Sequence, residues 1–243
     1  WHTAEIELLE HCLREDLNKK ANRALAVLRP IKLVIENYPE DQVEYLEAAN
    51  NPQNSDSGTR KIPFSKELYI EQDDFMENPP KKFFRLTVGR EVRLRYGYLI
   101  TCVEIIKDPT TGEVIELRCT YDPETRGGNA PDGRKVKSTI HWVSANHSID
   151  AEVRLYERLC LDPEPDISDG KSLETVLNPN SLEIIRSAKV EPSLKESTPG
   201  NPIQFERLGY FCLDSEDSDN SNDLVFNRTV SLRDSWSRIQ SHN

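Results

Sequence analysis

Apolar residues at the start of the chain recur at helical spacing, at Ile6, Leu9, Leu13 and Leu17. The spacing predicts a helix with one apolar stripe, Thr3 as its N-cap, and Asn18 and Asn22 with the intervening lysines at its end. After Arg23 the pattern shortens to strand-length runs. Ala24 to Leu28 is one, and beyond Pro30 Ile31 to Ile35 is a second. Asn50 to Arg60 is polar and reads as a loop, and Leu68 and Ile70 alternate with polar neighbours as in a half-buried strand. Two or three strands are expected between Phe84 and Ile106, and a hairpin joins Val103–Lys107 to Val114–Arg118 through Asp108-Pro109 and Gly112. Its outgoing strand places Ile115, Leu117, Cys119 and Tyr121 on one face. Val136 to Val143, Val153 to Leu159, Gln204 to Leu213 and Leu224 to Leu232 read as further strands. Leu173 to Leu177 is short enough to be one helical turn. Many short strands about ten residues apart point to β-barrels or sandwiches. No repeat of fixed period is visible, although two related barrels need not show one.

Composition narrows the class. Of 243 residues, 36% are hydrophobic and 30% charged, with 15 Pro and 1 Met. This is less apolar and more charged than an average globular chain, and suits a soluble, loop-rich β protein. No apolar run reaches the roughly 18 residues of a membrane helix, and no signal peptide opens the chain. The first residue is Trp1, so the chain is expected to be cut from something longer. Five cysteines without a C-x-x-C pair suit a reducing, cytoplasmic setting.

The net charge of −11 argues against a polyanionic partner, but the charge is uneven. Acid concentrates between Asp214 and Asp219, and base between Asn18 and Arg23, Lys81 and Arg95, and Arg134 and Lys137. A polyanion responds to the local field of a groove more than to the global sum. Phosphate-binding, dinucleotide-binding and serine-hydrolase motifs are absent, and His141 reads as a structural histidine. Arg85, Arg93 and Arg95 are expected on strands, interleaved with Phe83, Phe84 and Tyr96. Such a face is suited to splayed single-stranded bases, whose edges guanidinium groups read and whose rings stack on aromatics. The alternative is a solvated sheet face ion-paired to the many acids. Gln204 and Arg207 are three apart, so a bulge or strand end is needed to bring both to one ligand.

Nine blocks in register carry a resemblance. They are Arg14 to Asn18, Arg23 to Leu28, Pro30 to Tyr38, Gly89 to Arg95, Cys119 to Asp122, Asp132 to Lys137, Ile140 to Ser144, Gly209 to Asp214, and Phe226 to Val230. Together they resemble the C-terminal anticodon-binding region of the glutaminyl-tRNA synthetases, class I enzymes, over nearly the whole chain. The resemblance implies a mainly β fold, with two β-barrels of the ribosomal protein L25 type behind a helical connector. It places the connector at 1–22, a proximal barrel at 23–39 plus about 146–243, and a distal barrel at about 40–145. It implies Arg23 and Gln204 around the middle anticodon base with Arg207 nearby, Arg85 on the third base, a guanine, and Arg93 on the first. Asn18, Gln53, Lys82, Phe84, Arg95 and Arg233 become further candidate contacts. Lys82, Phe84 and Gln53 stand where the family often has glutamine, lysine and asparagine.

The class I HIGH-like and KMSKS-like pieces are missing. The resemblance therefore implies no catalytic residue, metal or cofactor in this piece. ATP and magnesium would belong to a parent glutamine-tRNA ligase. The implied partners are glutamine tRNA and the parent's own N-terminal catalytic domain, with a monomeric, cytoplasmic protein and no membrane. Competing readings are the archaeal or eukaryotic type of glutamyl-tRNA synthetase, and a β-barrel protein-interaction or ribosomal module.

Overall fold

The computed structural model describes residues 5–160, 162, 176–218 and 224–233. Ile6–Lys20 form helix α1, capped at Glu5 without a side-chain bond. Thr3 and most of the expected turn at Leu173 to Leu177 lie outside the described residues. Only the C-terminal half of the apolar stripe is buried. Leu13, Leu17 and Ala21 pack on Tyr210 and Val230, and the Arg14 Nε donates to the Ser231 carbonyl at 2.7 Å. Ile6, Leu8 and Leu9 stay exposed.

The chain then runs through β1 (Asn22–Ala24), β2 (Ala26–Val27), β3 (Pro30–Ile35), β4 (Glu44–Ala49), β5 (Thr59–Phe64), β6 (Glu67–Glu71), β7 (Glu91–Leu94) and β8 (Leu99–Lys107). It continues with β9 (Val114–Asp122), β10 (Thr139–Ile140), β11 (Trp142–Ser144), β12 (Ile149–Tyr156), β13 (Leu182–Val190), β14 (Pro202–Phe205), β15 (Gly209–Leu213) and β16 (Leu224–Ser231). Two seven-stranded sheets result, ordered β1-β14-β15-β16-β12-β13-β2 and β10-β7-β8-β9-β3-β6-β11, with β4 and β5 as a separate hairpin.

Both sheets curl into nearly closed barrels by one device. β1 pairs with β14 at one edge of its sheet, and β2, one residue further on, pairs with β13 at the other. Leu25 is the single residue at that break. His141 is its counterpart, because β10 pairs with β7 and β11 with β6. Starting from the closing segment, both barrels follow the same order of pairings: parallel, antiparallel, antiparallel, parallel, antiparallel, antiparallel. The chain therefore holds one topology twice. The closing segment precedes the other five strands in the first barrel and follows them in the second. That permutation explains why no repeat of fixed period shows in the sequence.

The passage between barrels falls between Val27 and Pro30, because β3 already belongs to the second sheet. This is earlier than the boundary expected at residue 39. Two buried glutamates pin the passage. Glu191 accepts the Leu25 N–H at 2.8 Å, and Glu71 accepts those of Leu28 and Arg29 at 2.6 and 3.0 Å.

Each barrel has its own core. Phe205, Phe211 and Phe226 meet in the first, the first two stacked at 4.2 Å. Leu33, Phe64, Leu68, Ile70, Ile100 and Trp142 are fully enclosed in the second. Each such side chain contributes about 1.5–3 kcal/mol on burial.

Several expectations fail for local reasons. Gln204 to Leu213 is not one strand, since it turns at Glu206–Leu208 to give β14 and β15. Tyr210 and Phe211 are both buried because a bulge separates them and α1 covers the outer face. A Cβ on Gly209 would stand 2.9 Å from the Val230 carbonyl oxygen, so that position needs glycine. Val136 to Val143 shrinks to β10 and β11. Ile115, near the tip of the hairpin, is exposed while Leu117 and Cys119 are buried. β13, β4 and β5 carried no clear alternation and were not foreseen. The acidic run that starts at Asp214 begins as an ordered turn, in which Asp214 Oδ1 accepts the Glu216 and Asp217 N–H groups at 2.9 Å each.

Candidate nucleic-acid interface

The turn after β14 meets its topological counterpart after β7. Gln204-Phe205-Glu206-Arg207 corresponds to Arg93-Leu94-Arg95-Tyr96, and each turn bends through a positive φ, 70° at Arg207 and 64° at Tyr96. These are the two non-glycine residues with positive φ among those described. Sequence reasoning placed Arg95 on a strand, but it lies in this turn. The turns are joined by Glu206, which is 6% exposed. Its carboxylate takes the Arg95 Nε at 2.7 Å and the Tyr96 hydroxyl, with the Arg60 guanidinium at 3.8 Å. Burial, reinforced by that carboxylate, raises the Tyr96 pKa. The Arg95 pKa is also raised: burial pulls it down, but Glu206 and Tyr96 more than offset this.

The strand end supplies the geometry that the spacing of Gln204 and Arg207 required. β14 stops at Phe205, so the positive-φ turn carries Arg207 back toward Gln204. Arg23 and Gln204 are direct partners across the parallel β1–β14 pair. Arg23, Arg95, Thr139, Gln204, Glu206 and Arg207 line a cleft of about 420 Å³ between the barrels. Arg23 is 7% exposed. Its guanidinium donates to the Ala21 and Asn18 carbonyls at 3.2 Å each and to Asn18 Oδ1 at 2.6 Å. A cation on the last carbonyls of a helix is favourably placed for the helix dipole. Asn51, which sequence reasoning missed, donates to the Lys19 and Ala21 carbonyls at 3.0 Å each. It thereby fastens the 50–58 loop, including exposed Gln53, beside Arg23 and Asn18.

Arg85 also lies on a loop rather than a strand. Its Nη1 donates to the Asp73 carbonyl at 3.0 Å and its Nε stands 3.4 Å from Asp74 Oδ1. Asp74 at the same time grips Arg207 from the other barrel, at 2.5 and 2.7 Å. Just before Arg85, Lys82 and Phe84 are exposed, and the Lys137 ammonium stands 5.2 Å from the centre of the Phe84 ring. Phe84, Arg90, Lys135 and Lys137 line a basic hollow of about 340 Å³. Arg93 points instead to the loop after β9, donating to the Thr125 and Gly128 carbonyls. Burial lowers its pKa, against the pull of Glu91.

The fold thus gathers Arg23, Arg95, Gln204 and Arg207 in one cleft, and Asp74 ties Arg85 to it. Arg93 and the Phe84 hollow stand apart from it. Arg233, two residues past β16, is exposed. His141 accepts from Arg207 at Nδ1, 2.8 Å, and faces Glu71 with Nε2 at 3.4 Å, a structural role as expected. Asp74 and Glu206 were missed, because a buried acid looks like any other acid until its partners are known.

Residues 21–122 match a family model described as "tRNA synthetases class I (E and Q), anti-codon binding domain", and residues 139–214 match a second model of the same description. The chain is 57% identical over 237 residues to a glutamine--tRNA ligase of Nitrobacter hamburgensis, covering 98% of the chain and 41% of the relative. It is 53% identical over 238 residues to that of Colwellia psychrerythraea, covering 98% and 42%. It is 52% identical over 234 residues to that of Clostridium perfringens, covering 96% and 42%. The chain spans about two fifths of the length of these relatives. Two tandem family matches across two like barrels identify the chain as a member of the class I (E and Q) tRNA synthetase anticodon-binding family.

Proposed function

We propose that the chain recognises the anticodon loop of glutamine tRNA on behalf of a glutamine-tRNA ligase. The observation that carries this reading is the inter-barrel cleft, where Arg23 of β1 meets Gln204 of β14 and Arg207 of the turn that follows it. Arg23 and Gln204 frame the middle base, with Arg207 at the rim. Arg85 reads the third base, since a guanidinium fork suits the O6 and N7 acceptors of guanine. Arg93 meets the first base. Asn18, Gln53, Lys82, Phe84, Arg95 and Arg233 supply flanking contacts. The names of the relatives support glutamine as the cognate amino acid.

The parent enzyme uses ATP and magnesium in its own catalytic domain, against which this region packs in a monomeric, cytoplasmic protein. The present chain alone neither activates nor transfers glutamine. Fluorescence anisotropy with a CUG anticodon stem-loop and a version altered at its middle base tests the reading. Preference for the unaltered loop, lost in Gln204→Ala, is expected. Equal binding of both loops would overturn it.

A further inference from the structure

We propose that Asp74 is a positioning residue shared by two base-reading arginines, and that it couples recognition at neighbouring positions of the bound RNA strand. The inference rests on the anticodon-binding function proposed above.

Asp74 closes a 3-10 turn, Gln72–Asp74, directly after β6. Its side chain is 2% exposed, and its own carbonyl accepts the Leu86 N–H at 2.9 Å, which fixes the turn against the Arg85 segment. Both carboxylate oxygens are engaged by Arg207, Oδ2 by Nη1 at 2.5 Å and Oδ1 by Nη2 at 2.7 Å. Oδ1 also faces the Arg85 Nε at 3.4 Å. One oxygen thus serves arginines from both barrels. The arginines themselves remain partly open, with side chains 29% and 45% exposed.

A carboxylate this deeply buried must keep its charge compensated, because an unpaired buried charge is costly. The planar fork of Arg207 is held flat by the two parallel bonds, a geometry that fixes direction as well as distance. His141 Nδ1 braces the same nitrogen at 2.8 Å. A base that draws Arg207 toward the cleft leaves Asp74 more dependent on Arg85. A base that draws Arg85 outward leaves it more dependent on Arg207. Residues sharing one partner are not energetically independent. Occupation of one pocket therefore biases the arginine of the next. Asp74 does this without touching the RNA.

The test uses the full chain, CUG anticodon stem-loops altered at the middle or third base, and the guanidinium 1H–15N signals of Arg85 and Arg207. Asp74→Asn preserves shape and removes charge. It is expected to shift both guanidinium signals and to weaken preference at both base positions by about five- to tenfold. Arg207→Met, at a partly exposed position, keeps Asp74 in place and provides the second arm should Asp74→Asn not fold. It is expected to shift the Arg85 signal and alter third-base preference. An unmoved Arg85 signal in Arg207→Met, or loss of preference at one base alone in Asp74→Asn, would overturn the coupling. Base preference that survives Asp74→Asn unaltered would also overturn it, leaving the anticodon-binding function intact. No base preference in the unsubstituted chain would overturn both.

Discussion

Replacing Glu206 by glutamine should move stability and RNA affinity in opposite directions. Glu206 is nearly buried and serves Arg95, Tyr96 and, at 3.8 Å, Arg60. Glutamine keeps the shape and one acceptor but removes the charge. Hydrogen bonds to charged groups contribute about 1.5–3 kcal/mol each. The Arg95 side chain is 42% exposed and recovers part of that from water, and Arg60 retains Glu191 at 2.5 Å. The net loss of stability is therefore about 1–3 kcal/mol. The same change removes a negative charge from the cleft proposed to receive the RNA. One charge near 4 Å is worth about 1 kcal/mol in a water-like dielectric, so affinity at low salt should rise about two- to fivefold. The gain should fade with added salt.

Urea denaturation followed by tryptophan fluorescence measures the first effect. Trp142 is a suitable reporter, because it is buried and its Nε1 donates to the Arg95 carbonyl at 2.9 Å. Anisotropy with a stem-loop at about 50 and 200 mM salt measures the second. A stability change under about 0.5 kcal/mol would refute the assigned role of Glu206 as a buried junction. A fall in both stability and affinity would refute its electrostatic part.

Three further outcomes follow from the same geometry. Arg85→Ala should cost about 1–3 kcal/mol of binding and relax preference most strongly at the third base, whereas a uniform loss over all loops in anisotropy would show a phosphate contact instead. Glu71→Ala should destabilise the chain by about 2–4 kcal/mol by stripping acceptors from the Leu28 and Arg29 N–H groups, and Glu71→Gln, which keeps one acceptor oxygen, should cost less in the same urea titration. Burial, aided by Glu44, pushes the Tyr38 pKa up to about 12. Its neutral form favours the folded state, so its contribution is full below the ordinary tyrosine value near 10 and is lost as pH rises toward 12. Alkaline unfolding should accordingly become easier across that window in the unsubstituted chain than in Tyr38→Phe.

Much of this molecule is legible before folding, and the rest is hidden for definable reasons. The hairpin from β8 to β9 was readable because Asp108, Thr110, Thr111 and Gly112 are specific turn chemistry, and Asp108 does accept both threonine N–H groups. β13 was not, because its apolar residues at Leu182, Ile184, Ile185 and Ala188 fit no single period while a bulge shifts the register of its partner. The duplication was invisible because the closing segment sits at opposite ends of the two barrels. Gln204 and Arg207 could be singled out by type and spacing, and Arg23 through the family resemblance. That Arg207 reaches the cleft through a positive-φ turn could not, since arginine rarely adopts that conformation. The acids that aim the arginines stayed hidden, because 42 Asp and Glu residues give no pairing without coordinates.

Anticodon reading is tested by the affinity of this chain for two stem-loops that differ only at the third anticodon base, CUG and CUC, across a salt series. Tighter binding of CUG is expected, with a preference that persists as salt lowers both affinities in parallel. Preference for CUC would move the specificity to glutamate, and equal affinity at every salt concentration would contradict anticodon reading by these barrels.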